Sequence, residues 1–193
     1  MSTIVAVIKN GKGCIAADTL TTFGDIRQSH RYDASSDKIL EHDGSYMGIV
    51  GSAAHHLVIQ SVFAQEAKNI QLDSRQAIYH SFLNLHPILK QNYFLNPKDE
   101  DDDAYESSRI DALFLNKTGI YGLYALREVF QYRSFWAIGA GAEIALGAMY
   151  AMYDRSDDAE EIASVAIEAS AELHTSSALP IQKFTLDVEG GFL

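Results

Sequence analysis

Residues 3 to 8, TIVAVI, form an unbroken run of apolar and β-branched side chains, and GCIAAD at 13 to 18 repeats it after the turn signal KNGK. Asn-Gly between two such runs predicts a tight β-hairpin, and the lack of polar alternation predicts a sheet covered on both faces. SDKIL and SYMGIV, separated by EHDG, predict a second strand pair. From Ala53 the period changes. Leu57, Val58, Ser61, Val62, Gln65 and Lys68 recur at helical spacing, and a second helix is predicted from about Ser74 to Tyr93. The stretch LNPKDEDDDAYESS, about 95 to 108, is too long and too acidic for a simple connector. RIDALFLN, GIYGLYAL and SFWAIG then predict strands, and AEIALGAMYAMYD and DDAEEIASVAIEASAEL predict helices. The second of these helices opens on Asp157 and Asp158, where the helix dipole favours acids. IQKFTLD closes the pattern as a strand. The order of strands, two helices, strands, two helices and strand predicts an α+β domain over residues 1–193, with two stacked sheets between helix layers and no linker to divide it.

Composition narrows what such a domain does. At 193 residues and 47% hydrophobic it buries a sizeable core. Fifteen Lys and Arg against 26 Asp and Glu give a net charge of -11, the wrong sign for gripping nucleic acid. No apolar run approaches the roughly 18 residues of a membrane span. The single Cys14 has no partner for a disulfide and the first twenty residues lack a signal-peptide pattern, so a reducing cytoplasm is expected.

The chemistry gathers at the opening hairpin. With Asn10-Gly11 as a two-residue loop, Lys9 pairs with Lys12, and counting back sets Asp18 opposite Thr3, one step from Ser2. Strict alternation would aim Ser2 and Asp18 at opposite faces, so a bulge or the terminal position has to relax it. Removal of Met1 before a small residue would free an α-amine on Ser2, and an α-amine ordinarily titrates at roughly pH 8, which suits a general base at neutral pH. A hydroxyl would then carry its own base. The ordinary readings are a processed terminus for Ser2, a strand-end carboxylate for Asp18 and a solvated edge charge for Lys38; only their joint register lifts them. His55-His56 read as polar helix surface rather than a metal site, because adjacent helical residues diverge. Cys14 reads as core, and GAGAE fits neither dinucleotide nor P-loop binding.

STIVAV followed by IAADTLTTFG, then DKIL, GIVGSAA and WAIGAGAEIALGA, resembles the proteasome β-type and HslV-like family of N-terminal-nucleophile hydrolases over nearly the whole chain. The acidic character, the Ser in place of Thr and the long acidic loop are similar to the betaproteobacterial proteasome homologue (BPH) branch. The resemblance implies the four-layer αββα sandwich and an endopeptidase with Ser2 as nucleophile. It implies Asp18 and Lys38 as the groups that hold the amine and lower the hydroxyl pKa, and the N–H of Gly51 as the oxyanion hole. About five residues, RYDAS, lengthen the spacing from Asp18 to Lys38, and a different gap would put Ser35 or Ser36 in the lysine's place. The family's hydroxyl in GSG is Ala140 here, and the residues bracing its amine fall on Glu172 and Thr175. By the same register Thr21, Leu40, Ile49 and Ala53 line an apolar S1 pocket, and Thr22 binds substrate backbone.

No cofactor is required by this chemistry, although carbonyls of Ala171, His174 and Ser177 are a candidate structural cation site. The implied assembly is a homo-oligomeric double ring of six or seven subunits each, taking unfolded polypeptide, with the acidic loop at the pore; docking of an ATPase unfoldase stays open. A non-catalytic ring scaffold and a small-molecule amidase are the alternatives. The α-type scaffold subunits carry a helical extension ahead of the first strand, which this sequence does not show.

Overall fold

The computed structural model describes residues 2–96 and 103–189. β1 (Thr3–Lys9) and β2 (Lys12–Asp18) form the expected hairpin, with Lys9 opposite Lys12. Asn10 and Gly11 both take positive φ, 50° and 76°, as a two-residue hairpin turn requires. β10 (Phe135–Gly139) and β11 (Ile181–Asp187) flank that pair in an antiparallel sheet ordered β10-β1-β2-β11. A second antiparallel sheet runs through β5 (Ile39–His42), β6 (Ser45–Val50), β7 (Asp111–Asn116), β8 (Gly119–Leu123) and β9 (Val129–Tyr132) in that order. Two further strands, β3 (Thr21–Phe23) and β4 (Ile26–Gln28), make a small separate hairpin. The helices are α1 (Ala53–Glu66), α2 (Arg75–Asn92), α3 (Ala142–Met152) and α4 (Ala159–Leu173).

Three apolar clusters define the layers. Val5, Val7, Cys14 and Ala16 pack with Ala145, Met149 and Ile162 under α3 and α4, while their alternating neighbours Ile4, Ala6, Ile15 and Ala17 meet Leu113, Leu115 and Ile120 of the other sheet. Phe114, Tyr121, Met47 and Ile49 face α1 and α2. This is the four-layer αββα sandwich, and it explains why β1 and β2 contain no polar alternation: each face of the hairpin meets a different buried layer. Gly48 permits the two sheets to close, since a Cβ there would stand 2.6 Å from Cγ2 of Ile4. Cys14 is fully buried and its thiol is pushed up to about 12, chiefly by burial, which makes it inert core.

Two features depart from the sequence reading. The strands β3–β4 and β9 are not expected from the sequence, because each is three or four residues long and largely exposed, too short to carry a periodic signal. β5 starts at Ile39, so Lys38 is not inside a strand but immediately before one. Most of the acidic run, within residues 97–102, lies outside the described residues. Its return leg is pinned to α2, where Lys90 Nζ meets Glu106 at 2.6 Å and Ser108 Oγ sits 2.5 Å from His86 Nδ1. Glu106 also reaches His86 Nε2 at 3.4 Å. That Ser-His-Glu string looks hydrolytic, but Ser108 is 3% exposed, so the cluster anchors a loop rather than meeting a substrate.

Candidate active site

Ser2 is buried at 7% exposure just ahead of β1, which is held on both sides by β10 and β2. The amide joining Ser2 to Thr3 donates to Asp18 Oδ1 at 2.8 Å. Asp18 therefore reaches the terminal segment through the backbone of that segment. The same carboxylate, fully buried, accepts from Lys38 Nζ at 2.8 Å, from the Leu20 N–H at 3.0 Å and from the Ala178 N–H at 3.3 Å. Lys38 Nζ also donates to the Leu20 carbonyl at 2.7 Å. Burial pushes the Lys38 ammonium below its ordinary value, with the Asp18 carboxylate pulling against that shift.

The lengthened stretch between Asp18 and Lys38 holds the β3–β4 hairpin and a turn in which Ser35 bonds Asp33. Ser35 is exposed and Ser36 half-buried, whereas Lys38 lies in the ion pair with Asp18. What holds Lys38 there is a residue the sequence reading missed. Gln182 on β11 accepts from the N–H groups of Lys38 and Ile39 at 2.7 and 3.0 Å and donates to the Ile39 carbonyl at 3.3 Å. A polar residue in a strand that pairs with β2 is the only signal for it in the sequence. Replacing Gln182 with Leu leaves two N–H groups without that acceptor, so the fold is expected to lose about 1–3 kcal/mol of stability, which calorimetry checks.

Gly51 lies between the end of β6 and the N-cap of α1, where Ser52 Oγ accepts from the Ala54 N–H. Its φ of +106° is a conformation that side-chain-bearing residues rarely adopt. It lines a cleft of about 450 Å3 with Ser52, His55, Asn96, Arg109 and Asp111. His55 is half-buried there with Nδ1 unpaired among the described residues, so His55-His56 are not simple helix surface. Burial lowers the pKa of both imidazoles. Among the described residues no group of three His, Cys, Asp or Glu could hold a metal ion.

Two glycines matter that the sequence reading did not single out. A Cβ on Gly139 would stand 2.1 Å from the Ser2 carbonyl oxygen, and one on Gly141 would stand 2.2 Å from Thr3 Oγ1. Thr3 Oγ1 instead pairs with Ser177 Oγ at 2.6 Å. Glu172 and Thr175, read as the groups bracing the amine, are exposed at the end of α4 and just beyond it. The side chain that meets the terminal strand from this loop is Ser177. His174 caps the end of α4, and the chain turns back to β1 and β2 at Ser177 and Ala178. The His174 carbonyl accepts from the Ser177 N–H at 3.2 Å, and Ala171 sits in the last turn of α4. Ala140 is exposed.

Of the residues read as substrate-binding, Thr21 and Thr22 are half-buried on β3 and Leu40 is half-buried on β5. Ile49, at 6% exposure, belongs to the core under α1 and α2. Ala53 opens α1. No helix among the described residues is long and apolar enough to cross a membrane.

A family model described as proteasome subunit matches residues 1–188. The solved structure of Thiobacillus denitrificans BPH in complex with epoxomicin is similar at a TM-score of 0.90 and 40% identity, over 97% of this chain and 100% of that one. A second structure of Thiobacillus denitrificans BPH gives 0.89 at 40% identity over 97% and 98%. Eukaryotic HslV from Trypanosoma brucei shares the fold, with a TM-score of 0.72 at 18% identity over 96% and 99%. No curated protein sequence matches the chain.

Proposed function

The chain belongs to the proteasome family, and from that membership we propose that it is a self-compartmentalising endopeptidase whose nucleophile is Ser2. The observation that carries this reading is the buried Asp18–Lys38 ion pair bonded to the amide between Ser2 and Thr3. Removal of Met1 frees the Ser2 amine. Ser2 Oγ then attacks the scissile carbonyl and its proton passes to that amine, directly or through a water; Lys38 favours the developing alkoxide by its charge. The N–H of Gly51 stabilises the tetrahedral oxyanion. Collapse expels the amine half of the substrate with the proton, leaving an ester on Ser2, which water hydrolyses with the same α-amine as base. Identical subunits meeting head to tail close into rings, six or seven per ring here, with the sites facing inward.

Intact mass spectrometry before and after an α′,β′-epoxyketone peptide tests this, and epoxomicin, bound by the Thiobacillus denitrificans relative, is the natural choice. Loss of Met1 with one adduct per chain, absent in Ser2→Ala, is expected. Retained Met1 without an adduct overturns the reading in favour of a scaffold subunit. The pH profile of kcat/KM is a second check. Activity rises as the α-amine loses its proton near about pH 8. It falls again as Lys38 loses its charge, and because burial lowers the Lys38 pKa, that alkaline limb lies below the ordinary lysine value of 10.5.

Asn96 and Arg109, which flank the acidic stretch, both line the cleft beside Gly51. The acidic charge of residues 99–103 would favour basic polypeptide by steering. Changing all five acids to Asn or Gln is expected to raise KM for a Lys-rich peptide about severalfold at low ionic strength, with the difference vanishing in about 0.5 M salt, where charges are screened within a few ångströms. Initial rates across a salt series measure it.

A further inference from the structure

An apolar cleft of about 600 Å3 opens on the other side of Gly139 from β1, and the chemistry above leaves it unused. Its walls are Val50, Tyr124, Phe130, Tyr132, Trp136 and Leu146. Tyr132 and Trp136 stack at 4.6 Å with 7° between their planes, and Tyr124 meets Phe130 edge-on at 5.8 Å. The polar atoms of this wall satisfy one another: the Tyr124 and Tyr132 hydroxyls are 2.8 Å apart, and Trp136 Nε1 donates to the Tyr124 hydroxyl at 2.9 Å. What remains facing the cleft is ring surface held in place by hydrogen bonds, a preformed site for an apolar group. Asp111 at the rim is shared with the polar cleft beside Gly51 and opposes an acidic occupant.

The position of the cleft says what would fill it. Gly139, one of its lining residues, backs onto the Ser2 carbonyl, and Val50, another, is the residue before Gly51. The cleft thus lies beside the terminal segment across Gly139 and shares Val50 and Asp111 with the cleft that Gly51 lines. The residues read as the acyl-side pocket, Leu40 and Ile49, belong to β5 and β6 instead. Resting on the reading of Ser2 as nucleophile, the geometry points to this cleft as the leaving-side subsite, which takes a bulky apolar side chain, above all an aromatic one, directly after the scissile bond. Substrate binding energy is gained there only when the chain extends past the bond that is cut.

Peptides identical except for Phe, Ala or Asp after the scissile bond test it, with cleavage positions read by mass spectrometry. Phe is expected to exceed Asp in kcat/KM by about 10-fold or more, the scale on which an apolar pocket discriminates. Leu146→Trp, which fills the cleft, and Phe130→Ser, which removes its outer wall, are each expected to bring the Phe-to-Ala ratio toward one. Equal rates for the three peptides, or a ratio unchanged in both variants, overturn the inference. So does a Phe preference located before the bond rather than after it. Dissociation of the ring by both variants on size-exclusion chromatography would assign the cleft to a neighbouring copy and overturn it as well. An epoxyketone adduct on the unaltered ring with no leaving-side preference rejects this inference alone, whereas no adduct and no cleavage reject the Ser2 reading with it.

Discussion

Lys38→Met is expected to lower kcat/KM by at least about 10^3-fold and to destabilise the fold at the same time. On the proposed mechanism the catalytic loss follows from removing the cation paired with Asp18, since a preorganised charge or proton-transfer group typically contributes about 10^2 to 10^4. The stability loss follows from Asp18, which is fully buried and would keep its carboxylate without its counter-ion. Breaking a buried pair on one side costs about 3–5 kcal/mol, and for a chain of this size that lowers Tm by about 6–20 °C. Removing both partners distinguishes the two effects. Asp18→Asn with Lys38→Met leaves no unpaired charge, so Tm should recover much of the loss while activity stays at the floor. Calorimetry and a peptide assay on the two single variants and the double variant check this. A single Lys38→Met variant with unaltered kcat/KM would refute the role of this pair.

Gly139→Ala is expected to reduce cleavage at least about 10^2-fold without touching any group that reacts. The new Cβ would lie 2.1 Å from the Ser2 carbonyl oxygen and 2.9 Å from its carbon, and the φ of +95° is itself unfavourable for alanine. Because β1 is clamped between β10 and β2, the strain is relieved most easily by pushing Ser2 outward, and a displacement of about 1 Å at a reacting atom costs roughly this factor in rate. Gly147→Ala on α3 is the control. Nothing lies within 4 Å of the Cβ it would add, so activity should be unchanged and the helix slightly stabilised. The rate of epoxyketone adduct formation, compared between the two variants, reads the position of Ser2 directly; equal rates would show that the close approach of Gly139 does not position it.

The placement of Asp18 against the terminal segment is legible in the sequence because a two-residue turn leaves no freedom in counting back along the hairpin. Lys38 is legible only as one of two registers, since a hairpin and a turn separate it from Asp18 and nothing in their pattern fixes the gap. Glu172 and Thr175 are misplaced by the sequence reading for a similar reason. Where α4 ends and how the chain returns to β2 depends on helix termination within LHTSSALP, a stretch with no glycine to mark the stop.

The layer order, the opening hairpin with its register, and the approach of Asp18 to the backbone of Thr3 are written in the chain itself, because strand and helix periods and a two-residue turn are local properties. The closing of Lys38 on Asp18 and its support by Gln182 come from the packed fold. So do the room that Gly139 and Gly141 leave for Ser2 and Thr3, and the single aromatic wall that Tyr124, Tyr132 and Trp136 share. Each of these depends on atoms from separate segments being brought within a few ångströms, and the distances between such segments are set by how the two sheets pack, not by anything either segment encodes alone.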